Sequence, residues 1–177
     1  MVTTEGKTVE GIYTTNFEFV NCNYGFIANG TGAVHAVEFS NGHFDCNAAC
    51  VTAPCGGTAF SISNCYIQKG HRAKGGTLDS YMINLNGVSS SRIFGNFMLD
   101  DATNAGLEAV GGAIIALNNT STIVSNNVVQ GFNAGIVFDA SALQASNVLN
   151  DMRDVLIPYA YTHGIHKLLF IQDFALH

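Results

Sequence analysis

One short block returns so often that it limits what this chain can fold into. VEFSNGHFD (37–45), FSISNCYIQ (60–68), RIFGNFMLD (92–100), TIVSNNVVQ (122–130) and LQASNVLND (143–151) follow one another, headed by FEFVNCNYG (17–25). Each is a β-favouring run, a mostly small residue, an asparagine and a second β-favouring run. The shared asparagines are Asn21, Asn41, Asn64, Asn96, Asn126 and Asn147, spaced by 20, 23, 32, 30 and 21 residues. A second block, YGFIANG (24–30), YMINLNG (81–87), GAIIALN (112–118) and AGIVFDA (134–140), also recurs. The repeating unit is therefore a whole coil of about three short strands.

Asn126-Asn127 is a poor two-residue hairpin, which prefers Asn-Gly or Asp-Gly because both central residues need positive φ. Helical repeats of about 33 residues or more lack the apolar spacing of three and four they require. A sandwich or meander predicts turns between paired strands but gives asparagine no reason to recur at one offset. A solenoid does: asparagine tolerates left-handed backbone, and amides at one corner can bond along a stack. Two residues before each asparagine stand Phe19, Phe39, Ile62, Phe94, Val124 and Ala145; three after stand Tyr24, Phe44, Ile67, Leu99, Val129 and Asn150. These two columns are expected to face a common interior. One coil cannot bury its inner face, whereas stacked neighbours make a continuous core. The expectation is an all-β parallel solenoid of about six coils over 1–151, with 152–177 a C-terminal cap or partner-binding segment. Pro158 breaks the pattern there, and Ile165, Leu168, Leu169 and Phe174 outline an imperfect helical face.

On these motifs the chain resembles the single-stranded right-handed parallel β-helices of the pectate-lyase-like superfamily, whose asparagine ladders mark a corner between sheets. Phrases such as VEGIYTTNFEFVNCNYGFIANG (9–30) are similar to those of bacteriophage tailspike bodies. The likeness spans roughly residues 9–150. Tailspikes of this kind are homotrimers that bind, and often cleave, bacterial surface polysaccharides. The resemblance therefore implies a polysaccharide partner, a homotrimer, and a place in the virion tail or outside the cell. Whether a glycoside hydrolase or lyase activity accompanies binding stays open, as does a non-enzymatic structural or adhesive solenoid. Polygalacturonases of this fold carry paired aspartates followed by Gly-His-Gly. Asp100–Asp101 supplies a pair here, but Thr162-His163-Gly164 lies far downstream and the first aspartate motif is missing. No calcium-binding acidic cluster of the pectate-lyase kind can be picked out.

Composition narrows the partner further. A net charge of −6 disfavours nucleic acid and anionic membrane, which reward a basic face. No apolar run reaches membrane-spanning length, and MVTTEGKTVEG lacks the apolar core of a signal peptide. Synthesis in the host cytoplasm without a signal peptide is the expectation. Cys22, Cys46, Cys50, Cys55 and Cys65 are odd in number and lack paired zinc-knuckle spacing, so free thiols and no metal site are expected. No cofactor motif is present.

Four residues after each asparagine stand Gly25, Asp45, Gln68, Asp100, Gln130 and Asp151, expected to form an outward polar stripe. Asp45 and Asp100, two coils apart, would be separated by ~9.5 Å, near the upper range for an inverting pair of carboxylates. With Asp101 and Glu108 they are the candidate catalytic acids: one protonates the glycosidic oxygen while another activates water. Tyr66, Gln68, Gln130 and His43 are the candidate substrate-binding residues. The rival reading is that these are solvated strand ends and rim packing. His163 and His166, and the loop KGHRAKGG (69–76), admit equally plain surface readings.

Overall fold

A computed structural model describes residues 2–70, 81–102, 111–117, 121–138, 146–161 and 169–171. Among them there are nineteen strands and no helix. In chain order the strands are β1 (Val2–Thr3), β2 (Thr8–Thr15), β3 (Glu18–Asn29), β4 (Ala33–Ser40), β5 (His43–Thr52), β6 (Gly57–Ser63) and β7 (Tyr66–Lys69). Next come β8 (Tyr81–Asn86), β9 (Val88–Ser89), β10 (Arg92–Phe94), β11 (Phe97–Asp100), β12 (Gly112–Leu117), β13 (Ile123–Ser125) and β14 (Val128–Gln130). The series ends with β15 (Ala134–Phe138), β16 (Ser146–Val148), β17 (Asp151–Arg153), β18 (Ile157–Tyr161) and β19 (Leu169–Ile171). Every pairing among them is parallel.

Parallel neighbours cannot be joined by a tight turn, so the chain alternates between two sheets. One runs β2, β4, β6, β10, β13, β16, β19 in sequence order, with β9 beside β6. The other holds the remaining eleven strands. Its long strand β5 pairs by its first residues with β7 and by its last with β8, so this sheet has two arms. The register partners Glu18, His43, Tyr66, Phe97, Val128 and Asp151 set successive passes of 25, 23, 31, 31 and 23 residues. Parallel pairing continues beyond Asp151 through β17, β18 and β19. Leu169–Ile171, where the apolar spacing suggests a helical face, are a strand.

The core is built of like residues stacked pass on pass. Phe39, Ile62, Ile93 and Val124 are consecutive register partners, all nearly or fully buried. So are Phe44, Ile67, Met98 and Val129 on the second sheet. Phe26, Val51, Ile83, Ile114, Ile136 and Tyr159 form a third column on its other arm. Each large buried side chain contributes about 2 kcal/mol through area removed from water. In the first passes the filling is aromatic: the Phe44 ring lies 4.7 Å from Phe17 and 5.5 Å from Phe39, centroid to centroid, both edge to face.

The two asparagines of SNNVV do different work. Asn126 has φ +54° and turns the backbone in left-handed geometry, as do Asn16, Asn41, Asn64 and Leu149 at the equivalent corner. Gly95, at φ +66°, fills that corner in its own pass. Asn127, next along, is buried and carries the hydrogen bonds. Its Nδ2 donates to Ile93 O at 3.0 Å and to Asn150 Oδ1 at 2.9 Å. Its Oδ1 accepts from the backbone N–H of Asn96 at 3.0 Å and from Asn96 Nδ2 at 2.9 Å. Asn96 repeats the pattern downward, donating to Ile62 O and accepting from Cys65 N. Below it the Cys65 thiol takes the amide's place and donates to Ser63 O at 3.2 Å. Then Gly42 and Phe17 follow, and a Cβ on Gly42 would stand 2.3 Å from the Phe17 ring.

The single asparagine column expected from the sequence is thus two adjacent columns. Asn41, Asn64 and Asn126 belong to the corner and Asn96 to the ladder. Asn21 lies within β3, at φ +56° and beside a register shift. Asn147 pairs with Val124 inside β16. The slip also exposes Phe94, at 37 %, where Ile93 takes the inward place. A second left-handed column, Gly11, Ala36, Ala59, Ser90 and Ser121, bends the other sheet, with φ between 53° and 76°.

Two contrasts test this assignment. Asn127→Ala leaves several buried polar groups unpaired and is expected to cost about 3 kcal/mol or more in urea unfolding. Asn126→Gly, which keeps the corner's geometry, is expected to stay within about 0.5 kcal/mol of the parent; equal losses at the two positions would contradict the division. Ala59→Gly relieves a left-handed alanine on an exposed bend and should raise stability by about 0.5–1 kcal/mol.

Candidate functional site

Alternation along β5, β7, β11 and β14 turns every second residue outward, and in-register stacking lines those residues up. The first outward column is Glu18, His43, Tyr66, Phe97, Val128 and Asp151. The second, two residues along, is Val20, Asp45, Gln68, Leu99, Gln130 and Arg153. Four of the residues expected to bind substrate, His43, Tyr66, Gln68 and Gln130, therefore share one face, although 87 residues separate the first from the last.

The centre of the face is aromatic. The Tyr66 and Phe97 rings stack with centroids 5.6 Å apart and planes 7° from parallel. His43 meets Tyr66 edge-on at 5.1 Å, and its Nδ1 is 3.6 Å from Glu18 Oε1. Tyr66 is 37 % exposed, and its hydroxyl makes a long contact of 3.5 Å with Gln68 Oε1. Gln68 Nε2 donates to Asp101 Oδ2 at 3.2 Å, which fixes the orientation of the amide beside the rings. Burial first, then the nearby carboxylates Asp101 and Asp45, push the Tyr66 phenol pKa above its ordinary value, so it remains a neutral donor at physiological pH. At the far end Arg153 Nε donates to Asp151 Oδ2 at 2.8 Å.

The candidate acids are arranged differently from the expected open stripe. Asp45 is on the outward column yet only 3 % exposed. Gly70 closes over it: a Cβ there would stand 2.6 Å from Asp45 Oδ1. Asp100 is register partner of Lys69, not of Gln68, so it occupies the opposite phase of the alternation. It too is 3 % exposed, and its Oδ1 accepts from Ala102 N at 2.9 Å in a local turn. Lys69 is itself fully buried. Asp45 and Asp100 thus lie on opposite sides of their strands, while Asp101 approaches the aromatic face through Gln68 and Glu18 approaches it through His43. Glu108, Asp79, His71, His163 and His166 lie outside the described residues. Among the described residues no three His, Cys, Asp or Glu side chains converge to hold a metal ion.

Phe97 and Leu99 are members of this face that the repeat alignment assigns elsewhere. The 31-residue step from Tyr66 identifies Phe97, whereas aligning Asn96 with Asn64 makes the step 32 and reverses the faces. No family model, curated protein or solved structure matches the chain.

The pKa shift gives a direct check. Followed by ultraviolet absorbance against a Tyr66→Phe reference, Tyr66 is expected to ionise above the ordinary tyrosine value of about 10. Asp101→Asn should bring it part of the way down; an unchanged midpoint would remove the carboxylate's share.

Proposed function

We propose that this chain is a right-handed parallel β-helix, similar to tailspike bodies of the pectate-lyase-like superfamily, that binds a bacterial surface polysaccharide across the Tyr66 face. The observation that supports this reading is the stacked, solvent-facing pair Tyr66–Phe97, bordered by the Gln68–Asp101 hydrogen bond. A pyranose ring has an apolar C–H face and a rim of hydroxyls. Flat aromatic rings receive the first, and oriented amides and carboxylates receive the second. Strand spacing of about 4.8 Å repeats such contacts along the rod, as an extended polymer requires. Gln130 continues the polar edge one pass beyond Leu99.

The reading is one of binding. A hydrolytic pair must flank one bond from a shared face, and Asp45 and Asp100 alternate to opposite sides. The rival is a structural solenoid whose same face packs against copies in a homotrimer, and the partly exposed Val20, Leu99 and Val128 favour it.

A panel of capsular and O-antigen polysaccharides, read for binding and for new reducing or unsaturated ends, tests both. Binding by the parent, weakened about tenfold in Tyr66→Ala with unchanged far-UV circular dichroism, is the expected result. Binding indifferent to Tyr66, or silence across a panel that includes the natural host's glycan, would overturn it. Silence with a stable trimer in solution would favour the structural reading.

A further inference from the structure

Three thiols gather where the first two long strands cross the corner of their sheet. Cys22 of β3 and Cys46 of β5 are register partners on adjacent parallel strands, with their sulfurs 3.6 Å apart. Cys50, fully buried, lies beyond them with its sulfur 3.8 Å from Met82 Sδ. The pairing is not what regular alternation would produce. Val20 points outward opposite Asp45, so an unbroken strand would turn Cys22 outward as well. Asn21, at φ +56°, is an extra residue in β3 that sets two positions of that strand against one step of β5. Such a bulge re-aims the side chain that follows it, and here it brings Cys22 onto Cys46. The Asn47 Nδ2 donates to Cys22 O at 3.3 Å and holds the bulged backbone in place.

The geometry points to a redox-active dithiol at Cys22 and Cys46, closed to a disulfide by a low-molecular-weight disulfide such as oxidised glutathione. Adjacent strands place the Cα atoms ~4.8 Å apart, inside the range that disulfides span, and closing the bond needs the sulfurs to approach by ~1.6 Å through side-chain rotation. Access and reactivity are divided between the two thiols. Cys22 is partly exposed and is the sulfur an external disulfide can reach, whereas Cys46 is fully buried. Hydrogen bonds from Cys50, then from Cys22, lower the Cys46 pKa, while burial and the neighbouring Cys46 push Cys22 up to about 11.

The exchange balances as follows. The Cys22 sulfur, losing its proton, attacks one sulfur of the oxidised tripeptide, breaks its S–S bond and expels one glutathione thiolate. The Cys46 thiolate then attacks Cys22 Sγ, breaks the mixed disulfide and expels the second. The two cysteines lose two electrons, the glutathione disulfide gains them, and the two protons released leave with two glutathione thiols. The product staples the first long pass to the second, at the end of the stack where a strand has a neighbour along only part of its length.

The test uses the full chain, reduced and then incubated with oxidised glutathione. A mass lower by two hydrogens, a Cys22–Cys46 linked peptide on mapping, and a Tm higher by about 5–10 °C are expected. Cys55→Ser should behave like the parent, and Cys22→Ser should show neither the linkage nor the rise. If Cys46→Ser does not fold, Cys22→Ser at its partly exposed position supplies the same control. A glutathione adduct that persists on Cys22, a Cys46–Cys50 linkage, or an unchanged mass would overturn the proposal.

Discussion

The buried amide ladder is the interaction on which the rest of this structure depends. Gly95, Asn126 and Leu149 turn the corner, and the asparagine that follows each, Asn96, Asn127 and Asn150, keeps the backbone's polar groups from being stranded, because its side chain completes the hydrogen bonds of the pass below. A buried carbonyl or N–H left alone would cost about as much as a good core contact contributes. Amide bonding along the stack also sets register. The Oδ1 and Nδ2 of one rung meet the next only when the passes are aligned, and alignment is what brings like apolar residues together behind them. In the early passes the same position is held by Cys65, Gly42 and Phe17. The ladder gives way there to a thiol and then to an aromatic ring, and the core becomes correspondingly rich in phenylalanine.

Register at the corner decides what the outer face displays. Once Asn96, Asn127 and Asn150 are aligned, Tyr66 and Phe97 must stack and Gln68 must stand beside Leu99. A one-residue slip would bury those rings and expose Met98. The bulge at Asn21 shows the complementary device. An added residue in one strand alters local phase without disturbing the stack above it, and Cys22 is thereby turned toward Cys46. The proposed binding face and the proposed dithiol are therefore two consequences of the same parallel register, one where it is kept and one where it is locally broken.

Much of this was legible in the residues, for physical reasons. Parallel all-β order followed from the recurring strand–corner–strand block, and the alignment of Gln68 with Gln130 followed from one offset within it. His43 and Tyr66, by contrast, were marked only by their ring chemistry, and the register placed them on the same face. The error of one position came from treating asparagine as a single signal. Left-handed corners accept asparagine, glycine and, in Leu149, even a γ-branched residue, while the ladder needs the amide itself. Gly95 therefore hid the true corner of its pass and Asn96 passed for it. The second bend, at Ala36, Ala59, Ser90 and Ser121, had no signal at all, because nothing in those residue types asks for positive φ. The burial of Asp45 and Asp100 was equally illegible: it depends on Gly70 folding over one carboxylate and on the phase of the other.

A double-mutant cycle tests the aligned register most directly. Asn96→Ala and Asn127→Ala, alone and together, should be coupled by about 1 kcal/mol or more in unfolding free energy, because each removes the other's partner. Asn96→Ala combined with Asn126→Gly should be additive within about 0.5 kcal/mol. Additivity of Asn96 with Asn127, or coupling of Asn96 with Asn126 instead, would contradict the account.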